Sequence, residues 1–255
     1  MKFNYISIVY FSPTGGTERV AKLMVDGFGG ANVSTLDMTV ENQDYLALSE
    51  NDLCVFCVPV YGGRVPSPVA ERLSRVSGNG TAAALVAVFG NRAVDDALIE
   101  LRDLTRARGF KTIAAAEFVA PHSLNTSFGS GRPDASDIGI LNEFCRKIIE
   151  KAEADDLREI NVPGSSNYRA YDGVPVKPAV SRRCVHCCVC ASNCPVGAID
   201  FINPQLTDKS TCISCMRCVT ICPSGARHIP LPAKAAVTVM LKKLCDTRKE
   251  PKTYL

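Results

Sequence analysis

The sequence predicts an α/β fold, a doubly wound parallel sheet of five strands, followed by a small α+β unit dense in cysteine. Two observations predict it. Over residues 1–156, short apolar runs alternate with amphipathic stretches, the pattern of strands and crossover helices in a parallel sheet. Over residues 181–231, eight cysteines recur in two copies of one spacing, offset by 28 positions.

The strands are expected at residues 6–11, 32–36, 53–58, 82–89 and 112–119. Some are almost continuously apolar, as when helices cover both faces of a parallel sheet. Helices are expected at 17–28, 67–76, 95–108 and 137–155, with a weaker one at 41–48. A ligand of such a sheet binds beyond the carboxyl ends of the strands. Residues 157–180 hold Pro163, Gly164, Gly173, Pro175 and Pro178, the composition of a linker. The cysteine unit at 181–231 is too small to bury much apolar surface, so bound metal must contribute to its folding. Residues 232–255 read as a helix and tail, with Val237, Met240, Leu241 and Leu244 on one helix side.

Composition bounds the function. Of 255 residues, 46% are hydrophobic, enough for a normal core. No run reaches the roughly 18 apolar residues of a membrane span. Met1-Lys2-Phe3-Asn4-Tyr5 opens no export signal, so a cytoplasmic protein is expected and disulfides among the thirteen cysteines are not. Charge is uneven: residues 1–160 carry 16 Lys/Arg and 21 Asp/Glu, whereas residues 161–255 carry 13 and 5. No helix-turn-helix or stacking-aromatic pattern accompanies the basic part, so nucleic acid is not an expected partner. The surplus offsets anionic metal centres or serves docking.

The first cysteine run is Cys184-x-x-Cys187-x-x-Cys190-x-x-x-Cys194-Pro195. The second is Cys212-x-x-Cys215-x-x-Cys218-x-x-x-Cys222-Pro223. This is the two-cluster run for [4Fe–4S] ligation, in which the fourth cysteine of each run ligates the other cluster. One cluster then takes Cys184, Cys187, Cys190 and Cys222, and the other Cys212, Cys215, Cys218 and Cys194. Zinc sites pair CxxC knuckles across longer loops, which makes zinc the weaker reading. Cys188 is out of phase and reads as a bystander. Cys54, Cys57 and Cys145 read as small buried hydrophobes; Cys245 carries no assigned role.

The first strand ends in Ser12-Pro13-Thr14-Gly15-Gly16-Thr17, and a helix follows. Hydroxyls, glycines and a helix N-terminus together favour a phosphate. No Lys follows the glycines, so the loop is not a Walker A motif. Cys57 and Arg64 are one residue too far apart for a Cys-x5-Arg phosphatase loop.

The sequence 12–17 resembles the FMN phosphate loop of flavodoxins. Pro59-Val60-Tyr61-Gly62-Gly63 and Gly90-Asn91-Arg92, at the ends of the third and fourth strands, resemble the two flavodoxin loops that line the isoalloxazine ring. The cysteine repeat resembles bacterial two-[4Fe–4S] ferredoxins. The whole chain is similar to the fused flavodoxin–ferredoxin proteins of anaerobic bacteria. The resemblance implies that Ser12, Thr14, Gly15, Gly16 and Thr17 hold the FMN phosphate. It implies that Pro59, Val60, Tyr61, Gly62 and Gly63 line one side of the ring, and Gly90, Asn91, Arg92 and Asp95 or Asp96 the other. Asp95 also reads as a helix N-cap. The chain has no Trp, unlike flavodoxins that sandwich the ring between aromatics.

A long polar loop follows the fifth strand at 121–134. At the carboxyl end of the sheet it reads as a ring cover, a docking surface for the cysteine unit or a substrate lid, with Arg132 expected among interdomain contacts and His122 read either as a proton or hydrogen-bond donor there or as a surface residue without a role. Three functions follow. An electron-transfer flavo-iron–sulfur protein would link two-electron and one-electron carriers, with redox proteins as partners. A reductase would reduce a small organic substrate at FMN, fed by the clusters. A structural or sensing module would use clusters for stability alone.

Overall fold

The computed structural model describes residues 3–29, 32–40 and 48–255. The weak helix expected at 41–48 lies, except for Leu48, outside the described residues.

Five parallel strands form as expected: β1 (Ile6–Tyr10), β2 (Val33–Asp37), β3 (Leu53–Pro59), β4 (Ala82–Phe89) and β5 (Lys111–Val119). Their order is β2-β1-β3-β4-β5, with Ile6 in register with both Val33 and Leu53. The chain reverses direction across the sheet between β1 and β3, which opens a crevice at their carboxyl ends. The alternation of side chains divides the core in two. Val9, Phe56 and Leu85 point to one face, and Ile8, Val55 and Val86 to the other. Helices α2 (Ser67–Leu73) and α3 (Ala97–Arg106) cover the first face; α1 (Gly16–Gly27) and α4 (Ala135–Glu153) cover the second. Phe56 and Phe110 meet edge to face with centroids 4.9 Å apart. Cys54, Cys57 and Cys145 are buried in these layers. Helix α4 starts two residues before its expected position because Asp134 caps it, paired with Asp137 in a capping box.

The sheet has six strands, not five. A final strand, β8 (Lys252–Tyr254), lies antiparallel against β5, pairing Thr253 with Ala116. It covers an edge that would otherwise expose unpaired backbone groups. The sequence signal is only three residues long, too short for periodicity to register.

The linker is pinned rather than loose. Ile160 donates its N–H to Thr112, and the N–H groups of Ser165 and Arg169 both donate to the Asp96 carboxylate at 2.8 Å. The Tyr168 hydroxyl donates to Asp103, and the Arg64 guanidinium lies over its ring. In the cysteine unit, β6 (Ala179–Val180) and β7 (Arg227–His228) pair antiparallel and join its two ends. Helices α5 (Val189–Ser192) and α6 (Arg217–Thr220) are single turns. The repeat is structural as well as sequential. His186 and Ser214 have φ of 54° and 57°, and Cys188 and Met216 have 58° and 63°, so each residue pair 28 positions apart takes the same left-handed backbone.

Helix α7 (Leu231–Cys245) packs through Val237, Leu241 and Cys245 against Leu124, Val176 and Met216. Met240 and Leu244, expected on its buried side, are about half exposed. The inward stripe steps by four residues and ends on Cys245, one position round from the expected side. Helix α4, the longest, and α7 are both too short or too polar to qualify, and among the described residues no helix is long and apolar enough to cross a membrane.

Candidate functional site

The crevice at the carboxyl ends of β1, β3 and β4 is a cleft. Ser12, Thr14, Gly16 and Thr17 line one end, Pro59 to Gly63 one wall, and Gly90, Arg92 and Pro121 to Leu124 another. At the first end, Gly15 takes φ 85° as the N-cap of α1, a left-handed position that suits glycine, and no side chain caps the helix. Ser12 Oγ accepts the N–H of Glu18 at 2.9 Å. Among the described residues, the N–H groups of Gly15, Gly16 and Thr17 find no protein acceptor. Unclaimed donors at a helix N-terminus suit a phosphate.

Three expected ring residues do not line the cleft. Asn91 is buried, and its side chain holds the tail: its amide donates to the carbonyls of Cys245 and Thr247 at 2.7 and 3.0 Å and accepts the N–H of Lys249 at 3.0 Å. Asp95 pairs with Arg92 and Arg169, and Asp96 binds the linker. Asp96, not Asp95, occupies the N-cap of α3, without a capping hydrogen bond. Gly15 also lies off the cleft wall and acts through the turn it makes.

Other walls come from segments remote in sequence. Tyr171 and Val174 of the linker, Ile213 and Ser214 of the second cysteine run, and Met240 and Leu241 of α7 all face the cleft. The local sequence around these residues carries no flavin signal; only the second run's position between cysteines hints at proximity. Burial, then Cys215 and Tyr171 nearby, pushes the Tyr61 hydroxyl well above its ordinary pKa. Burial and the Arg92 charge lower His122 to about 4. The neutral ring accepts the Leu124 N–H on Nδ1 at 3.2 Å, so its own proton sits on Nε2 as a donor.

A second, smaller cavity is walled by Cys194, Cys212, Cys215 and Cys218. These are the three leading cysteines of the second run and the last of the first. Burial pushes the Cys215 and Cys218 thiols up to about 12, and a bound cation favours their thiolate form. The donor set and the cavity fit a cluster. Among the described residues, no three His, Cys, Asp or Glu side chains close around a single ion. The N–H groups of Ala198 and Ala226 donate to Cys194 and Cys222 sulfur, each at 3.3 Å, again 28 residues apart. Cys222 lies where the unit's ends meet: Ser181 donates to the Ala226 carbonyl, and the Cys184 N–H to Ser181. Cys188 is spaced like Met216, and its sulfur faces the His186 and Phe201 carbonyls.

Contacts between the two parts are polar and apolar. Arg72 donates to the Pro195 carbonyl, Arg217 to that of Pro13, and Asn125 to the Thr238 hydroxyl at 3.0 Å. The 121–134 loop takes part through Leu124, Phe128 and Asn125. Arg132 serves the tail instead of the cysteine unit: it is buried, ion-paired with Asp137, and donates to the Lys249 carbonyl at 3.1 Å.

A family model for flavodoxin matches residues 8–130, and one for a 4Fe-4S binding domain matches residues 206–228. The chain has a fused flavodoxin–ferredoxin architecture. Its flavodoxin domain is similar to a Streptococcus pneumonia TIGR4 flavodoxin at 22% identity, covering 58% of this chain and 99% of that one with a TM-score of 0.43. A Fusobacterium nucleatum flavodoxin bound to flavin mononucleotide is similar at 14% identity, covering 61% and 99%, with a TM-score of 0.41. Flavodoxin 2 from Bacillus cereus is similar at 17% identity, covering 58% and 99%, with a TM-score of 0.45. No curated protein matches the chain in sequence. The two domain types together make it an electron-transfer flavo-iron–sulfur protein in the general sense.

Proposed function

We propose that the chain binds one FMN in the cleft and two [4Fe–4S] clusters, and passes electrons among them to link two-electron and one-electron carriers. The ligand sets are Cys184, Cys187, Cys190 and Cys222, and Cys212, Cys215, Cys218 and Cys194. The flavodoxin domain spans 1–156, the linker 157–180, the ferredoxin domain 181–231, and the helix and tail 232–255. One observation carries the reading: Ile213 lines both the cleft and the cavity of four cysteines. Ile213 thus joins the two sites, so cofactors held there would be neighbours.

Bound flavin supplies the exchange of two electrons for single ones, which clusters carry. The residues do the rest. Ser12, Thr14 and Thr17 and the free N–H groups hold the phosphate. Pro59 to Gly63, Gly90 and Arg92 line the cleft where the ring would lie, and His122 would offer it the Nε2 proton. Tyr171, Ile213 and Met240 would wall the side facing the ferredoxin domain. Redox proteins are then its partners.

The test is anaerobic purification followed by rapid mixing with a one-electron donor. We expect about one FMN, eight iron and eight sulfide, and flavin reduction that follows cluster reduction at a rate independent of protein concentration. Zinc without acid-labile sulfide, or a rate that scales with concentration, would sink the single-chain relay.

A further inference from the structure

The two cysteine runs share a backbone and differ in their surroundings. Cys215 is buried, while Cys187, its counterpart 28 residues earlier, is exposed. Ile213 is walled in between the cleft and its cavity; its counterpart Val185 is 66% exposed. Met216 is buried against Val237 and Leu241 of α7, whereas Cys188 faces only its own loops. The second run is therefore enclosed by the flavodoxin domain and α7, and the first faces outward.

Around Cys187 the surface is unusually apolar. Val185, Phe201, Ile202 and Leu206 are all exposed, Ile202 by 95%. Their two segments lie side by side, because Cys188 sulfur meets the Phe201 carbonyl at 3.3 Å and Gln205 meets His186 at 3.1 Å. Contiguous apolar exposure of this kind marks interaction sites. Its rim is basic. Arg182 and Arg183 precede Cys184 and are exposed; Arg183 donates to the Gly225 carbonyl at 2.8 Å, and among the described residues neither arginine nor Lys209 is ion-paired. Two exposed carboxylates share these segments with the three cations: Asp200, which accepts the N–H of Asn203, and Asp208, which accepts Ser210 and Thr211.

We infer that this face is the electron port, that it docks a small acidic one-electron carrier protein, and that electrons pass from the first-run cysteine set to the second and then to the cleft. The inference rests on the flavo-iron–sulfur reading above. The occupant is acidic because exposed Arg182, Arg183 and Lys209, none of them ion-paired among the described residues, flank the apolar centre in sequence, and unpaired cations beside apolar surface steer and orient an oppositely charged partner. The balance is simple. Each reduced carrier loses one electron at the port, and two carriers with two protons from water convert one oxidised flavin to its hydroquinone.

The test uses the full holoprotein, anaerobic, with a purified acidic two-cluster bacterial ferredoxin as the probe. Iron, sulfide and FMN are counted first, so a failed cofactor reading is recognised separately from a failed port. Calorimetry at low and moderate salt should give binding that weakens with salt. The double variant Arg182→Glu/Arg183→Glu should lose at least tenfold in affinity, and Phe201→Ser/Ile202→Ser likewise, with FMN and iron content unchanged. In a Cys187→Ser protein that keeps FMN and the second set's iron, reduction of flavin by the carrier should fall at least tenfold, while dithionite still reduces it. Loaded wild type that does not bind, surface variants that bind as wild type, or undiminished reduction through Cys187→Ser would each overturn the port. The surface variants serve if Cys187→Ser does not fold.

Discussion

The ring of Tyr171 lies across the backbone of Gly62, so closely that a Cβ on Gly62 would overlap it. Gly62 also has φ 60°, which disfavours any other residue. A linker residue thus presses on a loop of the flavodoxin domain at the cleft wall, and it is an aromatic in a chain without Trp. We expect Tyr171→Ala to weaken FMN binding to the apoprotein about tenfold, in line with the roughly 0.5–1.5 kcal/mol of an aromatic contact beyond its area. Tyr171→Phe should bind as wild type. Equal affinity for Tyr171→Ala in fluorescence titration would show that the ring touches only protein.

The phosphate loop makes a separable prediction. Thr14→Ala and Thr17→Ala remove hydroxyls from the end of the cleft where the α1 N–H groups are free. Each should cost FMN about 1.5–3 kcal/mol, the worth of a hydrogen bond to a charged group. Riboflavin, which lacks the phosphate, should bind as before. Equal losses for both flavins would place the phosphate elsewhere.

Crossed ligation is tested one cysteine at a time. Cys194 stands with Cys212, Cys215 and Cys218 around one cavity. Cys194→Ala should therefore impair the cluster of the second run and spare that of its own run. Cys188→Ala should leave both intact, since Cys188 occupies the same backbone position as Met216. Separate EPR signals of the two reduced clusters provide the readout, and damage confined to the first-run cluster in Cys194→Ala would contradict the crossing.

His122 makes a prediction about pH. Its folded pKa is lowered to about 4 from an ordinary 6.5, first by burial and then by Arg92. A depressed histidine stays neutral in the fold while the unfolded chain binds the proton. Its contribution to stability is thus complete above pH 6.5 and is lost as pH falls from 6.5 toward 4, by on the order of 2–3 kcal/mol. NMR of ring-labelled histidine should show the His122 signal unmoved between pH 8 and 5.5. A midpoint near 6.5 would mean a solvated ring.

Much of this was legible in the sequence because it is local. Five strands, the glycine turn after β1 and the cysteine spacing each lie within a dozen residues, and apolar periodicity or ligand spacing reports them directly. What was hidden depends on chain segments meeting from afar. Nothing near Asn91 indicates that its amide binds the backbone of Lys249, 158 residues away. Arg132 was legible as a contact residue but not as a partner of the tail. The composition of residues 157–180 is that of a free linker, yet Asp96 and Thr112 supply hydrogen bonds that fix it. Tyr171, Ile213 and Met240 reach the cleft for the same reason: tertiary packing places them, and no local pattern encodes it.

The pairing of β8 with β5 changes what the ferredoxin domain is to the polypeptide. It is a detour between two neighbouring strands of one sheet rather than a unit hung on the end. During synthesis the edge of β5 waits, unpaired, until every cysteine has left the ribosome. A cut in the linker would leave the halves still clasped through β8 and Asn91, and a tag or truncation beside Lys252 would act on the flavodoxin domain.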